Sequence, residues 1–185
     1  MGADGQLNTE RLLLRRWRLS DREPFAAVNA DPNVSEYLGG PLTHEQSDDL
    51  VERIEAGFER HGFGLWAVEA RAEEEFIGFA GLAIPSFEAH FTPAVEVGWR
   101  LARSAWGHGY ATEAGREALA FGFGPGGLEE IVSMTAVGNR RSRAVMERLG
   151  MRRNPDDDFD HPNVAAGDPL RRHVLYRIEA MGRWD

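Results

Sequence analysis

The 185-residue chain contains neither cysteine nor lysine. The absence of cysteine excludes disulfides, thiolate metal sites and a cysteine nucleophile. The absence of lysine excludes the phosphate-binding P-loop, whose motif requires Gly-Lys-Ser/Thr. No apolar run approaches the ~18 residues of a membrane span, and the N-terminus lacks the basic and apolar regions of a secretory signal. We therefore expect a cytoplasmic protein without a membrane partner.

Acidic residues outnumber basic ones, and the formal net charge at pH 7 is -9. An acidic chain argues against nucleic-acid binding as the main task and suits a cationic substrate. A composition with 42% hydrophobic and 28% charged residues is typical of a globular protein. The length is enough for one domain with a sizeable core. We predict a single domain over residues 1–185.

The hydrophobic periodicity predicts elements in the order β-α-α-β-β-β-α-β-α-β-β. Leu50, Ile54 and Phe58 recur at helical spacing, whereas Val95–Leu101 alternates as a strand does. Strands that alternate with helices near the middle of the chain favour an α/β fold with a mixed, mostly antiparallel sheet and helices on both faces. The predicted strands are Thr9–Trp17, Leu65–Arg71, Phe76–Ile84, Val95–Leu101, Glu130–Val137, Met151–Arg153 and Arg171–Ala180.

Helix starts are predicted from capping boxes, in which a Ser or Thr is followed three residues later by Glu or Gln. Helix ends are predicted from glycine. The predicted helices are a short one from Ser20-x-x-Glu23 to about Asn29, one of about four turns from Thr43-x-x-Gln46 to His61-Gly62, Glu113–Phe121, and Ser142–Gly150.

Gly107 and Gly109 lie between a predicted strand and a predicted helix. Glycine accepts a positive φ and lets the backbone approach a ligand closely. The first amides of a helix lack internal partners and carry the positive end of the helix dipole. This arrangement favours an anion site, usually for phosphate, and a tight turn without a ligand is the alternative. A dinucleotide fingerprint would need a third glycine where Thr112 stands.

The stretch W-G-H-G-Y-A-T-E-A around this turn closely resembles the acetyl-CoA motif of the GNAT N-acetyltransferases, in their RimJ/RimL-like branch. A second stretch, N-R-R-S-R-A-V-M-E-R-L-G-M, is similar to another segment of that family, although a capped amphipathic helix would also explain it. The resemblance implies that acetyl-CoA is the co-substrate, with its pyrophosphate on the turn amides and its pantetheine arm near Asn139. The coenzyme-binding residues that it implies are Trp99, Leu101, Arg103, Ser104, Trp106, Gly107, His108, Gly109, Tyr110, Ala111, Thr112, Asn139 and Ser142.

Acetyl transfer to an amine requires a base for the ammonium proton, a donor to the thioester oxygen and a proton for the leaving thiolate. Glu96 is the candidate base, because it lies on the predicted strand Val95–Leu101, which the resemblance places beside the coenzyme, and burial there would raise its pKa. A solvated carboxylate or an ion pair with an arginine is the alternative. Met146 stands where many family members carry a tyrosine, the presumed acid, and the RimL-like branch suggests Ser142 as a substitute. Ser104 also departs from the family, which often has Gln or Arg there.

Gly98 interrupts a strand of bulky residues. A glycine inside a strand marks a bulge or a close backbone approach. The family lays the pantetheine arm between this strand and Glu130–Val137, and the alternative is room for the ring of Trp99 or Trp106.

The expected function is therefore direct transfer of acetyl to a primary amine, such as a protein N-terminal α-amine. A small-molecule amine and a CoA-binding module without turnover are the alternatives, and a homodimer is left open.

The sign of the charge changes at Asn154. Six arginines and one acid lie in Asn139–Arg153, whereas Asn154–Leu170 has five aspartates and neither Lys nor Arg. Arginines can pair with the phosphates of a coenzyme, and the aspartates would attract a cationic amine. We therefore predict that Asn154–Leu170 borders the acceptor, together with Asp31–Thr43. A solvated loop is the alternative, and we expect no metal at the aspartates before His161.

Overall fold

The computed structural model describes residues 5–180. A nine-stranded sheet runs through this part of the chain. The strands are β1 (Leu7–Asn8), β2 (Leu12–Arg15), β3 (Leu65–Ala70), β4 (Glu75–Ala83), β5 (Glu96–Leu101), β6 (Glu130–Ala136), β7 (Arg152–Arg153), β8 (Phe159–Asp160) and β9 (Arg172–Glu179). The helices are α1 (Arg22–Ala30), α2 (Pro32–Ser35), α3 (His44–His61), α4 (Tyr110–Phe123) and α5 (Arg140–Arg148). Within the described residues, no helix is long and apolar enough to cross a membrane.

The strand order in the sheet is β1-β2-β3-β4-β5-β6-β9-β7, with β8 paired to β9. Each pair is antiparallel except β5 with β6, which is parallel. The exception follows from the connection, because the chain passes from β5 to β6 through α4 rather than through a tight turn. The predicted mixed, mostly antiparallel sheet is confirmed.

The sheet has two strands that the sequence did not predict, β1 and β8. Each is two residues long, which is too short for an alternating pattern to be visible. β8 lies inside Asn154–Leu170, where a loop was predicted, and Phe159 pairs with His173 of β9. The acidic segment is therefore tied to the last strand of the sheet.

The two faces of β5 have different surroundings. On one face, Val97 and Leu101 are buried in the main core together with Ala114 and Ala118 of α4. On the other face, Arg100 donates a hydrogen bond to a residue of α1. Because α4 and α1 lie on opposite sides of the same strand, helices cover both faces of the sheet, as predicted.

Local hydrogen bonds explain where α3 begins but not where α1 begins. The Thr43 hydroxyl accepts from the Gln46 amide at 3.2 Å and the Gln46 side chain accepts from the Thr43 amide at 2.9 Å, so this predicted capping box is confirmed. The box predicted at Ser20 is wrong, because Asp21 is the N-cap of α1 and makes no capping bond to that helix. Asp21 is 2% exposed, since Arg15 binds both of its carboxylate oxygens, at 2.7 and 2.9 Å.

Candidate active site

β5 and β6 are joined at one end only. Their registered pair is Glu96 with Val132, and the Val132 amide donates to the Val95 carbonyl at 2.9 Å. At the next step the Ser133 hydroxyl donates to the Val97 carbonyl at 2.8 Å, so a side chain replaces the backbone ladder. Beyond this point the described residues form no further registered pair between the two strands. A gap therefore separates the C-terminal halves of β5 and β6.

The turn between β5 and α4 is built from glycines in left-handed conformations. Gly107 has a φ of 82° and Gly109 a φ of 80°, which favour glycine. Gly109 is the N-cap of α4, and no side chain of the described residues caps the helix. The amides of Thr112 and Glu113 donate to the Gly109 carbonyl, so the amides just before them lack a helical partner. A Cβ at Gly107 would meet nothing within 4 Å, and this open space beside free amides fits a pyrophosphate.

Arg11 and Thr9 hold this turn in place, and the sequence analysis missed both. Arg11 donates to the His108 carbonyl at 3.0 Å and to the Glu113 carboxylate at 2.7 Å. The Thr9 hydroxyl donates to the same carboxylate at 2.6 Å. Burial alone would raise the pKa of Glu113, but the hydrogen bonds from Thr9 and Arg11 outweigh it and lower that pKa. A separation of 102 residues between Arg11 and Glu113 leaves no local signal for this contact.

The predicted coenzyme residues around the turn fall into two groups. Trp99 packs against the core and Leu101 is 5% exposed. Because both side chains pack in the core, only the backbone atoms of these two residues are available to bind a ligand. α4 begins at Tyr110, three residues before the predicted start, because the turn ends at Gly109. The exposed or half-buried members of the predicted set are Arg103, Ser104, Trp106, Gly107, His108, Gly109, Tyr110, Ala111 and Thr112.

Asn139 and Ser142 lie together at the start of α5. Asn139 Oδ1 accepts from the Ser142 amide at 3.2 Å, so Asn139 is the N-cap and the helix begins two residues before the predicted start. Asn139 Nδ2 donates to the Thr135 hydroxyl at 2.9 Å and to the Ser142 hydroxyl at 3.1 Å. The capping interpretation is therefore confirmed for Asn139. Ser142 Oγ accepts in this network and keeps its own proton to donate.

The tyrosines differ in their access to this region. Tyr176 is 3% exposed and its hydroxyl donates to Glu147 at 2.9 Å, which fits a core position. Met146 is 1% exposed within the main core. Tyr37 instead lies against the connection after β6, where a Cβ at Gly138 would be 3.3 Å from its ring. Tyr37 is thus a hydroxyl-bearing residue beside the N-cap of α5 that the sequence did not indicate.

Arg141 connects three elements around the gap. Its guanidinium lies 4.5 Å from the centre of the Trp106 ring, and it pairs with Glu36 at 2.7 Å. The contacts join α5 to the glycine turn and to the segment after α2. Arg141 is one of the six arginines that the charge pattern assigned to the coenzyme side, and it does lie at the turn.

Glu96 and Gly98 lie on the face of β5 opposite α4. Glu96 is half-buried, and burial raises its pKa to about 7 without a contribution from a charged neighbour in the described residues. A Cβ at Gly98 would meet nothing within 4 Å. Trp106 therefore does not fill the space at Gly98, and open space lies on this face of β5 two residues from Glu96.

The acidic segment Asn154–Leu170 is largely neutralised by arginines. Its ion pairs are Asp157 with Arg177, Asp158 with Arg153, and Asp160 with Arg171 and Arg172. This pairing weakens the predicted attraction for a cationic amine, because paired charges produce little long-range field. Within residues 5–180, no three His, Cys, Asp or Glu side chains are grouped as metal ligands would be.

The fold, the glycine turn and the gap beside it are those of an acyl-CoA-binding transferase, and comparison with known proteins identifies the family. The chain belongs to the acetyltransferase (GNAT) domain family, whose model matches residues 11–152, and it is an acetyl-CoA-dependent N-acetyltransferase. The protein YkkB of Bacillus subtilis is 31% identical over 82% of this chain and 87% of its own length. The FsC-acetyl coenzyme A-N(2)-transacetylase of Aspergillus fumigatus is 33% identical over 80% of this chain and 66% of its own length. A GNAT acetyltransferase structure from Bacillus anthracis has a TM-score of 0.78 at 24% identity, covering 96% of this chain and 99% of its own.

Proposed function

We propose that this enzyme transfers acetyl directly from acetyl-CoA to a primary amine bound on the Glu96 face of β5. The observation that carries the proposal is the half-buried Glu96 carboxyl group, whose pKa burial raises to about 7. A general base is most effective when its pKa lies near the working pH. Glu96 can therefore take a proton from an ammonium group at neutral pH more effectively than a carboxyl group with an ordinary pKa of ~4.3.

The reaction needs no covalent enzyme intermediate. After Glu96 accepts the ammonium proton, the amine nitrogen attacks the thioester carbonyl carbon. The new C–N bond forms and the C–S bond breaks, while the nitrogen loses its second proton and the departing thiolate gains one. We assign this transfer to Ser142, whose hydroxyl lies at the start of α5, gives its own proton to the thiolate and takes up the second nitrogen proton in its place.

Acetyl-CoA supplies the activated acyl group, and three features support where this chain binds it. The uncapped start of α4 and the open turn at Gly107 suit the pyrophosphate. Arg141 adds a guanidinium at that turn, and such a group binds phosphate oxygens in pairs. The gap between β5 and β6 suits the pantetheine arm, which would run toward Asn139.

Two classes of amine fit this proposal. The resemblance of the glycine turn to the RimJ/RimL-like branch supports a protein N-terminal α-amine. The name of the Aspergillus relative, an FsC-acetyl coenzyme A-N(2)-transacetylase, supports a small-molecule amine as the second candidate. An α-amine with a pKa near ~8 needs only one proton acceptor, so Glu96 suffices for either class.

A thiol-release assay with purified enzyme and acetyl-CoA tests the proposal. The acceptors are short peptides with a free N-terminus, the same peptides with a blocked N-terminus, and a set of small primary amines. We expect thiol release that depends on a free amine, together with a product heavier by one acetyl group. Equal thiol release from free and blocked peptides, without acetylation of any small amine, would contradict the proposed acceptor chemistry.

A further inference from the structure

Arg100 is the next residue after Glu96 and Gly98 on the same face of β5. Its Nη1 donates to the Asn29 side chain of α1, and its guanidinium lies 5.5 Å from the centre of the Phe79 ring. Its Nε is buried and has no hydrogen-bond partner among the described residues. Arg100 is thus held in place on two sides, and the hydrogen-bonding capacity of its guanidinium is not fully satisfied by the described residues.

A buried guanidinium is unfavourable unless it is paired and hydrogen-bonded. Elsewhere this chain meets that requirement, because buried Arg15 pairs with Asp21 at 2.7 Å and with Glu69 at 2.8 Å. Arg100 takes part in none of the ion pairs formed by the described residues, and burial lowers its pKa to about 10. It still carries a full positive charge at neutral pH, and no carboxylate of the described residues neutralises it.

Open space lies on the strand between Arg100 and Glu96, at Gly98. Arg100 lies four residue steps along the strand from Glu96, which is ~13 Å between their Cα atoms at ~3.3 Å per residue. Gly98 lies midway on the same face, and a Cβ there would meet nothing within 4 Å. A ligand lying over Gly98 would have the Glu96 carboxyl group toward one end and the Arg100 guanidinium, which has no ion pair, toward the other, and we call this space the slot.

We propose that Arg100 binds a carboxylate of the acceptor, so that the substrates are amines that carry a carboxylate group several bonds from the reacting nitrogen. This inference rests on the proposed function, because the acceptor amine must lie at Glu96 for its far end to reach Arg100. The planar guanidinium suits a carboxylate, which accepts two parallel hydrogen bonds from it. Arg100 is then a specificity-determining residue, and Asn29 and Phe79 position its side chain.

Matched acceptor pairs test this inference in the unmodified enzyme. One set consists of ω-amino carboxylic acids of three to six carbons and their carboxamides. A second set consists of tetrapeptides that differ only in Glu or Gln at the second residue. We expect the carboxylate member to have a kcat/KM roughly tenfold higher in at least one pair, because a charge-assisted hydrogen bond is replaced by a weaker one. Equal values within every pair would overturn the proposal.

Two substitutions then identify the residue. Arg100→Gln should remove the preference, because KM should rise more for the carboxylate than for the carboxamide. Arg100→Lys keeps the charge without the planar fork and should retain part of the preference. Thermal unfolding of both variants reports whether they fold. A preference that persists in folded Arg100→Gln would overturn the assignment.

A binding measurement separates this inference from the proposed reaction. Calorimetry on enzyme saturated with coenzyme A measures carboxylate and carboxamide binding in the absence of chemistry. Tighter carboxylate binding that Arg100→Gln abolishes supports the slot even if no amine is acetylated, and the failure would then belong to the proposed reaction. Acetylation without any carboxylate preference supports the reaction and overturns the slot. If the enzyme shows neither acetylation nor Arg100-dependent binding, both the proposed reaction and the slot are overturned.

Discussion

The two walls of the candidate active site are built from different parts of the chain. The proposed coenzyme wall is a short continuous segment around Gly107 and Gly109, in which backbone amides and a helix start are available to bind phosphate. The proposed acceptor wall combines Glu96, Gly98 and Arg100 with side chains from α1 and β4. The comparison shows why one wall can be recognised from a local motif, whereas the properties of the other depend on burial that only the fold creates.

The largest effect is expected from a substitution in the coenzyme wall. Gly109→Val places a β-branched side chain at a φ of 80° and over the amides that would bind the pyrophosphate. The strain should lower the free energy of unfolding by about 1–2 kcal/mol. We expect acetyl-CoA affinity to fall by more than ~100-fold, because the added side chain also blocks the phosphate site. Calorimetry with acetyl-CoA measures this loss.

Gly167→Val is the matched control for that experiment. Gly167 has a φ of 86° in a loop, and a Cβ there would meet nothing within 4 Å. The control therefore introduces similar strain away from the proposed coenzyme site. If folded Gly109→Val binds acetyl-CoA as tightly as Gly167→Val does, the glycine turn does not bind the coenzyme.

The next largest effect is expected from a substitution in the acceptor wall. Glu96→Gln removes the base and should lower kcat roughly 100-fold at neutral pH. The loss should shrink as pH rises, since more of the amine is then already deprotonated. The parent's kcat/KM should fall as pH drops below about 7, where Glu96 becomes protonated. A pH–rate profile of the same shape and height in both proteins would remove Glu96 from the mechanism.

The same variant makes a prediction about stability. The folded pKa of Glu96, about 7, lies above its ordinary value, so the folded state holds this proton more tightly than the unfolded chain does. The resulting stabilisation is complete at pH 4 and is lost as pH rises through 7. The glutamine of Glu96→Gln cannot ionise. The free energy of unfolding of this variant, relative to the parent, should therefore increase between pH 4 and pH 8, by at most about 3 kcal/mol. Denaturant unfolding at the two pH values measures the gain.

The coenzyme wall could be predicted from the sequence because its signal is contiguous. The glycines, the strand before them and the helix after them stand within one stretch, and the family match covers the same residues. Arg11 escaped notice because its partner is 102 residues away in the chain. Glu96 could be nominated from its place on the strand, but Arg100 could not, since an unpaired guanidinium is recognised only when its neighbours are known.

A smaller effect is expected at the start of α5. Ser142→Ala removes the proposed acid for the thiolate and should lower kcat roughly tenfold with little change in KM. Asn139 Nδ2 keeps Thr135 as an acceptor, so the cap should survive. Tyr37→Phe is the matched comparison, because Tyr37 is a second hydroxyl-bearing residue beside this cap. An effect of Ser142→Ala on KM alone would make Ser142 a binding residue, and a kcat loss confined to Tyr37→Phe would transfer the role to Tyr37.

The smallest effect on activity is expected from the acidic segment, because its charges are already paired. Asp158→Asn breaks the pair with Arg153 and should lower the free energy of unfolding at pH 7 by about 1 kcal/mol. The hydrogen bond from Arg153 lowers the pKa of Asp158, so this stabilisation is present above the ordinary pKa of ~3.9 and is lost as pH falls through the folded value. The difference between variant and parent should therefore be smaller in acid, which unfolding curves at pH 7 and pH 3 can check.

Asp156→Asn is the matched control, since Asp156 is exposed and has no ion pair within the described residues. It removes the same charge without breaking a contact, and it should leave stability at pH 7 unchanged. KM for the amine should change by less than about twofold in either variant, because a neutralised segment exerts little long-range attraction and exposed charges are screened over ~10 Å at 0.1 M salt. If KM for the amine rises several-fold in these variants at low salt and the rise disappears at high salt, the acidic segment does attract the amine, as the charge pattern suggested. The acceptor wall would then extend from Arg100 to the acidic segment, with each end recognising a charge of opposite sign.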